Sequence, residues 1–204
     1  MKERPILFST EMVRAILDGR KTQTRRVIKP QPVKDEHGFW TLYGAGWSMN
    51  YGPVSCMPSH SLSTQNPYGE PGDLLWVRET WAIVSVPDWT TARRIVGVYK
   101  ADNPQGLLFP SKWKPSIHMP KARARLWLRV KNVRVERVQD ISENDAWAEG
   151  VGDGQLGRFD ISGRVLFKSL WNSINEKRGY GWDANPWVWV VEFEIVENYE
   201  SGGE

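Results

Sequence analysis

Cysteine occurs once in 204 residues, at Cys56, so no disulfide framework can form within the chain. Histidine is nearly as scarce. His37, His60 and His118 stand far apart, and no Cys/His pair has the spacing of a zinc site. No apolar run approaches bilayer-spanning length, and no apolar signal-type segment follows Met1. These absences give the expectation of a cytoplasmic protein with no membrane segment, no metal and no organic cofactor. A strong excess of one charge is missing too. The formal net charge of +3 permits nucleic-acid binding without requiring it.

What is present is a globular composition, 40% apolar and 25% charged, with length for one sizeable core. Tryptophan is the outlier, at 12 residues. Trp76, Trp127, Trp147, Trp171 and Trp189 lie in periodic segments and read as core. Trp40, Trp47, Trp89 and Trp113 lie in loop-like sequence and are candidates for stacking on a base.

Periodicity predicts an α+β arrangement. A strand at 5–8 leads to a helix capped by Ser9 or Thr10, with Met12, Val13, Ile16 and Leu17 as its apolar stripe and Gly19 as a left-handed stop. Strands are expected at 74–84, 94–99, 125–138 and 187–196, with a phase shift near Lys131 and Asn132 that predicts a bulge. Helices are expected at 142–150, capped by Ser142, and at 167–176. The Pro- and Gly-punctuated stretches at about 29–72 and 101–120 read as insertions in a single domain spanning 1–204, with a short hairpin near 39–42.

The densest chemistry follows Gly19: Arg20, Lys21, Thr22, Thr24, Arg25 and Arg26 concentrate four cations and two hydroxyls within seven residues. Lysine is mostly solvated, and the threonines suit a strand, so a plain surface is the bland reading. The sharper one is a surface that holds a polar or anionic group, with Arg25 and Arg26 as phosphate or carboxylate clamps. A second basic run (Arg123, Arg125, Arg129, Lys131, Arg134, Arg137) is either a solvated face or a phosphate track.

Four blocks carry a resemblance. Residues 19–26, 71–79, 142–150 and 185–193 resemble segments of the ASCH domain, a branch of the PUA-like β-barrels, and the last is similar to the closing strand of its larger phage- and prophage-associated members. The resemblance implies a small β-barrel with flanking short helices and long loop insertions. It implies a modified nucleoside, a nucleotide or RNA as partner. It also brings in an amidohydrolase acting on N4-acetylcytidine, whose catalytic Lys, Thr and Glu fall on Lys21, Thr24 and Glu149. Arg20, Thr22, Arg25, Arg26, Arg78 and Glu79 are then expected to bind substrate or phosphate.

Amide hydrolysis needs a nucleophile, a base and an acid for the leaving amine. Lys21 serves as base only if its pKa falls, and the neighbouring arginines offer one cause. Glu149, at a helix C-terminus, is pushed up by the dipole and down by Lys21. In a regular strand Lys21 and Thr24 would face opposite ways, so they converge only if Lys21 lies in the turn after Gly19. Either the Thr24 hydroxyl or a water directly is the nucleophile. Two rivals stand beside this reading: a binding module without catalysis, and a metal-dependent ribonuclease using acids such as Asp73, Glu79 and Glu149.

Overall fold

A computed structural model describes residues 1–34, 40–42, 45–47, 54–55, 66–86, 94–103, 110–152 and 161–197. Its frame is a mixed sheet built from β1 (Glu3–Leu7), β2 (Gln23–Val27), β7 (Leu74–Arg78), β10 (Trp127–Arg137) and β11 (Trp187–Ile195), in the order β1-β7-β10-β11-β2. Only β1 and β7 run parallel; the other pairs are antiparallel. Between β2 and β7 come β3 (Val33–Lys34), β4 (Trp40–Leu42) and β5 (Ala45–Trp47), which make a small sheet, and β6 (Val54–Ser55), which pairs with β10. A hairpin of β8 (Trp81–Val86) and β9 (Arg94–Tyr99) stands beside the main sheet. Among the described residues three α-helices complete the fold: α1 (Thr10–Leu17), α2 (Glu143–Ala148) and α3 (Gly163–Asn175). No described helix is long and apolar enough to cross a membrane.

An inner strand explains the layering. β11 reads Trp-Val-Trp-Val-Val, an apolar run without polar alternation, as a strand buried on both faces requires. Trp187, Trp189, Val191 and Phe193 join Phe8, Val13 and Ile16 on one face. Val188 and Val190 meet Phe167 and Trp171 of α3 on the other. Each such fully buried side chain contributes about 1.5–3 kcal/mol, which fixes the register of β2 against β11.

Several expectations hold in type and shift in extent. Ser9 caps α1, its Oγ accepting from the Met12 N–H, and Gly19 is left-handed at φ 72°. Leu17, assigned to the apolar stripe, is exposed; Thr10 and Ala15 are buried instead. The register of β10 shifts between Val130 and Asn132, where the bulge was expected. The strand expected over 74–84 is two strands, because the chain leaves the main sheet at Glu79–Thr80 and enters the hairpin. Helix α3 begins at Gly163, four residues before its first core aromatic. The hairpin near 39–42 is the β4–β5 pair.

The barrel is corrected. Among the described residues no ladder joins β1 to β2, so the sheet is open. Side chains occupy the gap. Arg26 Nη2 donates to the Leu7 carbonyl at 2.6 Å, and its guanidinium lies 5.0 Å from the centre of the Phe8 ring.

Of the candidate stacking residues, Trp89 and the side chains of Trp40 and Trp47 lie outside the described residues. Trp113 is half-buried and lines neither of the two cavities described below. Trp127, Trp171 and Trp189 are core; Trp76 and Trp147 are half-buried.

Candidate functional site

The turn after Gly19 sets the site. Arg20 and Lys21 both donate backbone N–H groups to the Ala15 carbonyl, and β2 begins only at Gln23. Lys21 therefore stands outside the strand's alternation. It forms an isolated bridge with Glu149, the residue that ends α2, and Thr22 N–H donates to the Ala148 carbonyl. The α2 terminus is thus stitched to the segment entering β2. Gly150 allows the closeness. It is left-handed at φ 78°, and a Cβ there would lie 2.8 Å from both Lys21 Cβ and Ala15 Cβ.

Lys21 Nζ donates to the Glu149 carboxylate at 2.9 Å and to the Glu149 carbonyl at 2.8 Å. Their side chains are only 2% and 4% exposed. Burial lowers the Lys21 pKa most; Glu149 opposes this, and Arg26 and Arg25 add smaller downward pushes. Desolvation, and not the run of cations anticipated from the sequence, is thus the main cause, and Arg20 takes no part.

Glu149 has a second partner. Arg25 Nη1 donates to its other oxygen at 3.1 Å. Arg25 also meets Glu136 through Nε at 2.8 Å and Asp145 through Nη2 at 3.2 Å. Burial alone would lower its pKa, but Glu149 and Glu136 outweigh that and raise it. Burial of Asp145 is likewise outweighed, by Arg25 and Arg134, and its carboxyl is held below the ordinary range. Buried charges endure only when compensated in this way.

Next to this network lies a cavity of about 690 Å³ at the open gap between β1 and β2. Its walls come from Leu7 and Phe8, from Thr24–Val27, from Tyr68 and from one face of α3, including Phe167 and Trp171. Lys21, Thr24 and Glu149 all line it. The hydroxyls of Thr24 and Tyr68 have no hydrogen-bond partner among the described residues. The volume falls within the roughly 300–1,000 Å³ usual for small-molecule sites.

The remaining candidates are placed differently. Arg26 lines the cavity. Arg25 lines it too, but its donors face Glu136, Asp145 and Glu149, which leaves it no fork for a phosphate. Arg20 bonds to Asp18 and to the carbonyls of Gly150 and Gly152, outside the cavity. Thr22 is exposed and lines a separate cavity of about 590 Å³ on the far side of Lys21. Arg78 donates to the Ile117 carbonyl and packs on Trp76. Glu79 is buried against Arg125. Neither residue lines the cavity, although the next residue, Thr80, does.

The acids of the ribonuclease reading stand apart. Asp73 accepts N–H groups of Lys2 and Glu70, Glu79 faces Arg125, and Glu149 faces Lys21. Among the described residues no three His, Cys, Asp or Glu side chains gather as a metal site would require. Four of the six cations of the second basic run lie against acids, while Arg137 donates to the Asn185 carbonyl. Arg125 pairs with Glu79 and Asp102, Arg129 and Lys131 with Glu194, and Arg134 with Glu136, Asp145 and Glu192.

Sequence reasoning missed Tyr68, Phe8, Arg178 and the carboxylates of Glu136 and Asp145. Tyr68 sits in a Pro- and Gly-rich run that carries no periodic signal. The two acids look like ordinary strand and helix surface residues until β2 is laid against them.

No protein-family model matches the chain, and no curated protein matches it. Among solved structures it is similar to an ASCH domain from Lactobacillus crispatus JV V101, at 12% identity and a TM-score of 0.41, covering 95% of this chain and 79% of that one. This likeness assigns no residue a role.

Proposed function

We propose that this chain is a single ASCH-type domain that hydrolyses the amide of an N4-acylated cytosine nucleoside or nucleotide in the cavity beside β2. The observation that carries the reading is the enclosed Lys21–Glu149 pair, with the lysine's basicity lowered by burial, beside the unengaged hydroxyl of Thr24. The sequence resemblance of the four blocks supports the same residues.

The chemistry follows from their protons. A neutral Lys21 amine takes a proton from the nucleophile, either a water or the Thr24 hydroxyl, as the new C–O bond forms on the acyl carbon. Lys21 passes that proton across the 2.9 Å bond to Glu149, and Glu149 delivers it to N4 as the C–N bond breaks. The products are a free carboxylic acid and an unmodified cytosine. If Thr24 attacks, a water later cleaves its ester. Arg25 keeps the Glu149 side chain oriented by holding the oxygen that Lys21 does not use.

Incubation with N4-acetylcytidine, followed by ultraviolet absorbance, tests this. The expected result is conversion to cytidine by the wild-type protein and loss of about three orders of magnitude or more for Lys21→Ala, in keeping with general-base catalysis plus activation of the nucleophile. Full activity in Thr24→Ala assigns attack to water. No turnover across a panel of acylated cytidines would overturn the reading.

A further inference from the structure

Among the described residues, the cavity beside β2 is lined by five basic side chains, Lys21, Arg25, Arg26, Lys29 and Arg178, and by one acid, Glu149. Three of the five are engaged: Lys29 lies over the Tyr180 ring, and the other two are ion-paired. Lys21 and Arg25 face Glu149, and Arg25 also faces Glu136 and Asp145.

Arg26 and Arg178 differ. Neither has an acidic partner among the described residues. The Arg26 guanidinium gives one bond, to the Leu7 carbonyl, and lies over the Phe8 ring. Its Nε is buried without a hydrogen-bond partner. Burial lowers its pKa, with Tyr68 and Glu149 only partly opposing. A half-buried guanidinium with a buried, unsatisfied Nε and no counter-ion gains from an arriving anion. Arg178 is exposed, in the turn Glu176–Arg178 that follows α3, and lines the same cavity. Tyr68 adds a hydroxyl beside Arg26.

We infer that Arg26, Arg178 and Tyr68 form an anion subsite at the mouth of this cavity, and that its ligand is a pyrimidine nucleoside carrying a phosphate. The anion subsite stands on the unpaired guanidinium groups; the nucleoside part rests on the function proposed above. Arginine forks suit phosphate oxygens, and a phenol completes their hydrogen bonding. The Lys21–Glu149 end of the cavity then takes the base, and the Arg178 end takes the phosphate.

Calorimetric titration of the full chain with cytidine 5′-monophosphate and with cytidine tests the subsite without any turnover. The monophosphate is expected to bind at least about tenfold more tightly, in line with charge-assisted contacts, and inorganic phosphate is expected to compete with it. Arg178→Ala, an exposed position that leaves the fold intact, is expected to remove most of that difference; Arg26→Gln serves as a second variant, with its fold checked by circular dichroism. A short oligocytidylate separates the phosphate's source: tighter binding than the monophosphate assigns the subsite to a polymer backbone, weaker binding to a free nucleotide. Equal affinities for cytidine and its monophosphate, or no binding of either, overturn the inference. Phosphate-dependent binding with no hydrolysis of acylated cytidines upholds the subsite and removes the hydrolytic reading. Hydrolysis with no phosphate preference does the reverse.

Discussion

At the scale of the residue, the informative quantity is the proton on Lys21. Burial holds its pKa below the ordinary 10.5 in the folded chain. Between the folded value and 10.5 the unfolded chain binds this proton more readily, so stability rises with pH across that window. Below the window both states are protonated, and the full cost of enclosing the ammonium is present. Lys21→Met deletes this dependence. Thermal melts from about pH 7 to about pH 10 should therefore show the wild type gaining on the variant, by about 1.4 kcal/mol for each pH unit of window crossed. Equal slopes for the two proteins would show that the amine is not desolvated. Turnover should climb over the same window as the free amine appears. Tyr68 and Tyr99, which burial pushes upward, act alike in both proteins and cancel in the comparison.

At the scale of the element, the site depends on how α2 ends. Ser142 Oγ accepts from the Asp145 N–H at 3.1 Å and starts the helix, and Gly150 stops it immediately after Glu149. Gly150→Ala meets two penalties, a left-handed backbone and contact with Lys21 Cβ. It should destabilise the protein by about 1–2 kcal/mol from the backbone alone and displace Lys21, so that chemical denaturation and turnover both report it. Ser142→Ala should cost about 1 kcal/mol through the lost cap, with turnover falling less than in Gly150→Ala, because the cap touches no residue of the cavity beside β2. Both terminators are visible in the sequence, as Ser142 and Gly150. The split of 74–84 into β7 and β8 is not visible, because Leu75, Val77, Trp81 and Val84 favour a strand in either sheet and nothing local marks the exit at Glu79.

At the scale of the whole molecule, most of the second basic run is matched by acids among the described residues. Arg129 and Lys131, which look like a nucleic-acid track in the sequence, sit 3.8 Å and 3.5 Å from Glu194. The double variant Arg129→Ala/Lys131→Ala should leave RNA affinity within about twofold of wild type and the salt slope unchanged, since exposed pairs contribute little; filter-binding titrations at several salt concentrations decide this. The open sheet has a related consequence. Its two edges are separated by the Arg26 and Phe8 side chains, so the gap that would close a barrel is the cavity itself. The sequence alone determined the element types, a cap at Ser9 or Thr10, the cap at Ser142, the bulge in β10 and the cluster after Gly19, because each is written in local periodicity or in backbone preferences within a few residues. Only the tertiary structure decided which cations are neutralised. Whether Arg25 faces solvent or Glu136, and whether Arg26 and Arg178 line one cavity, depends on strands and helices more than a hundred residues apart in the chain, and no local pattern encodes that distance.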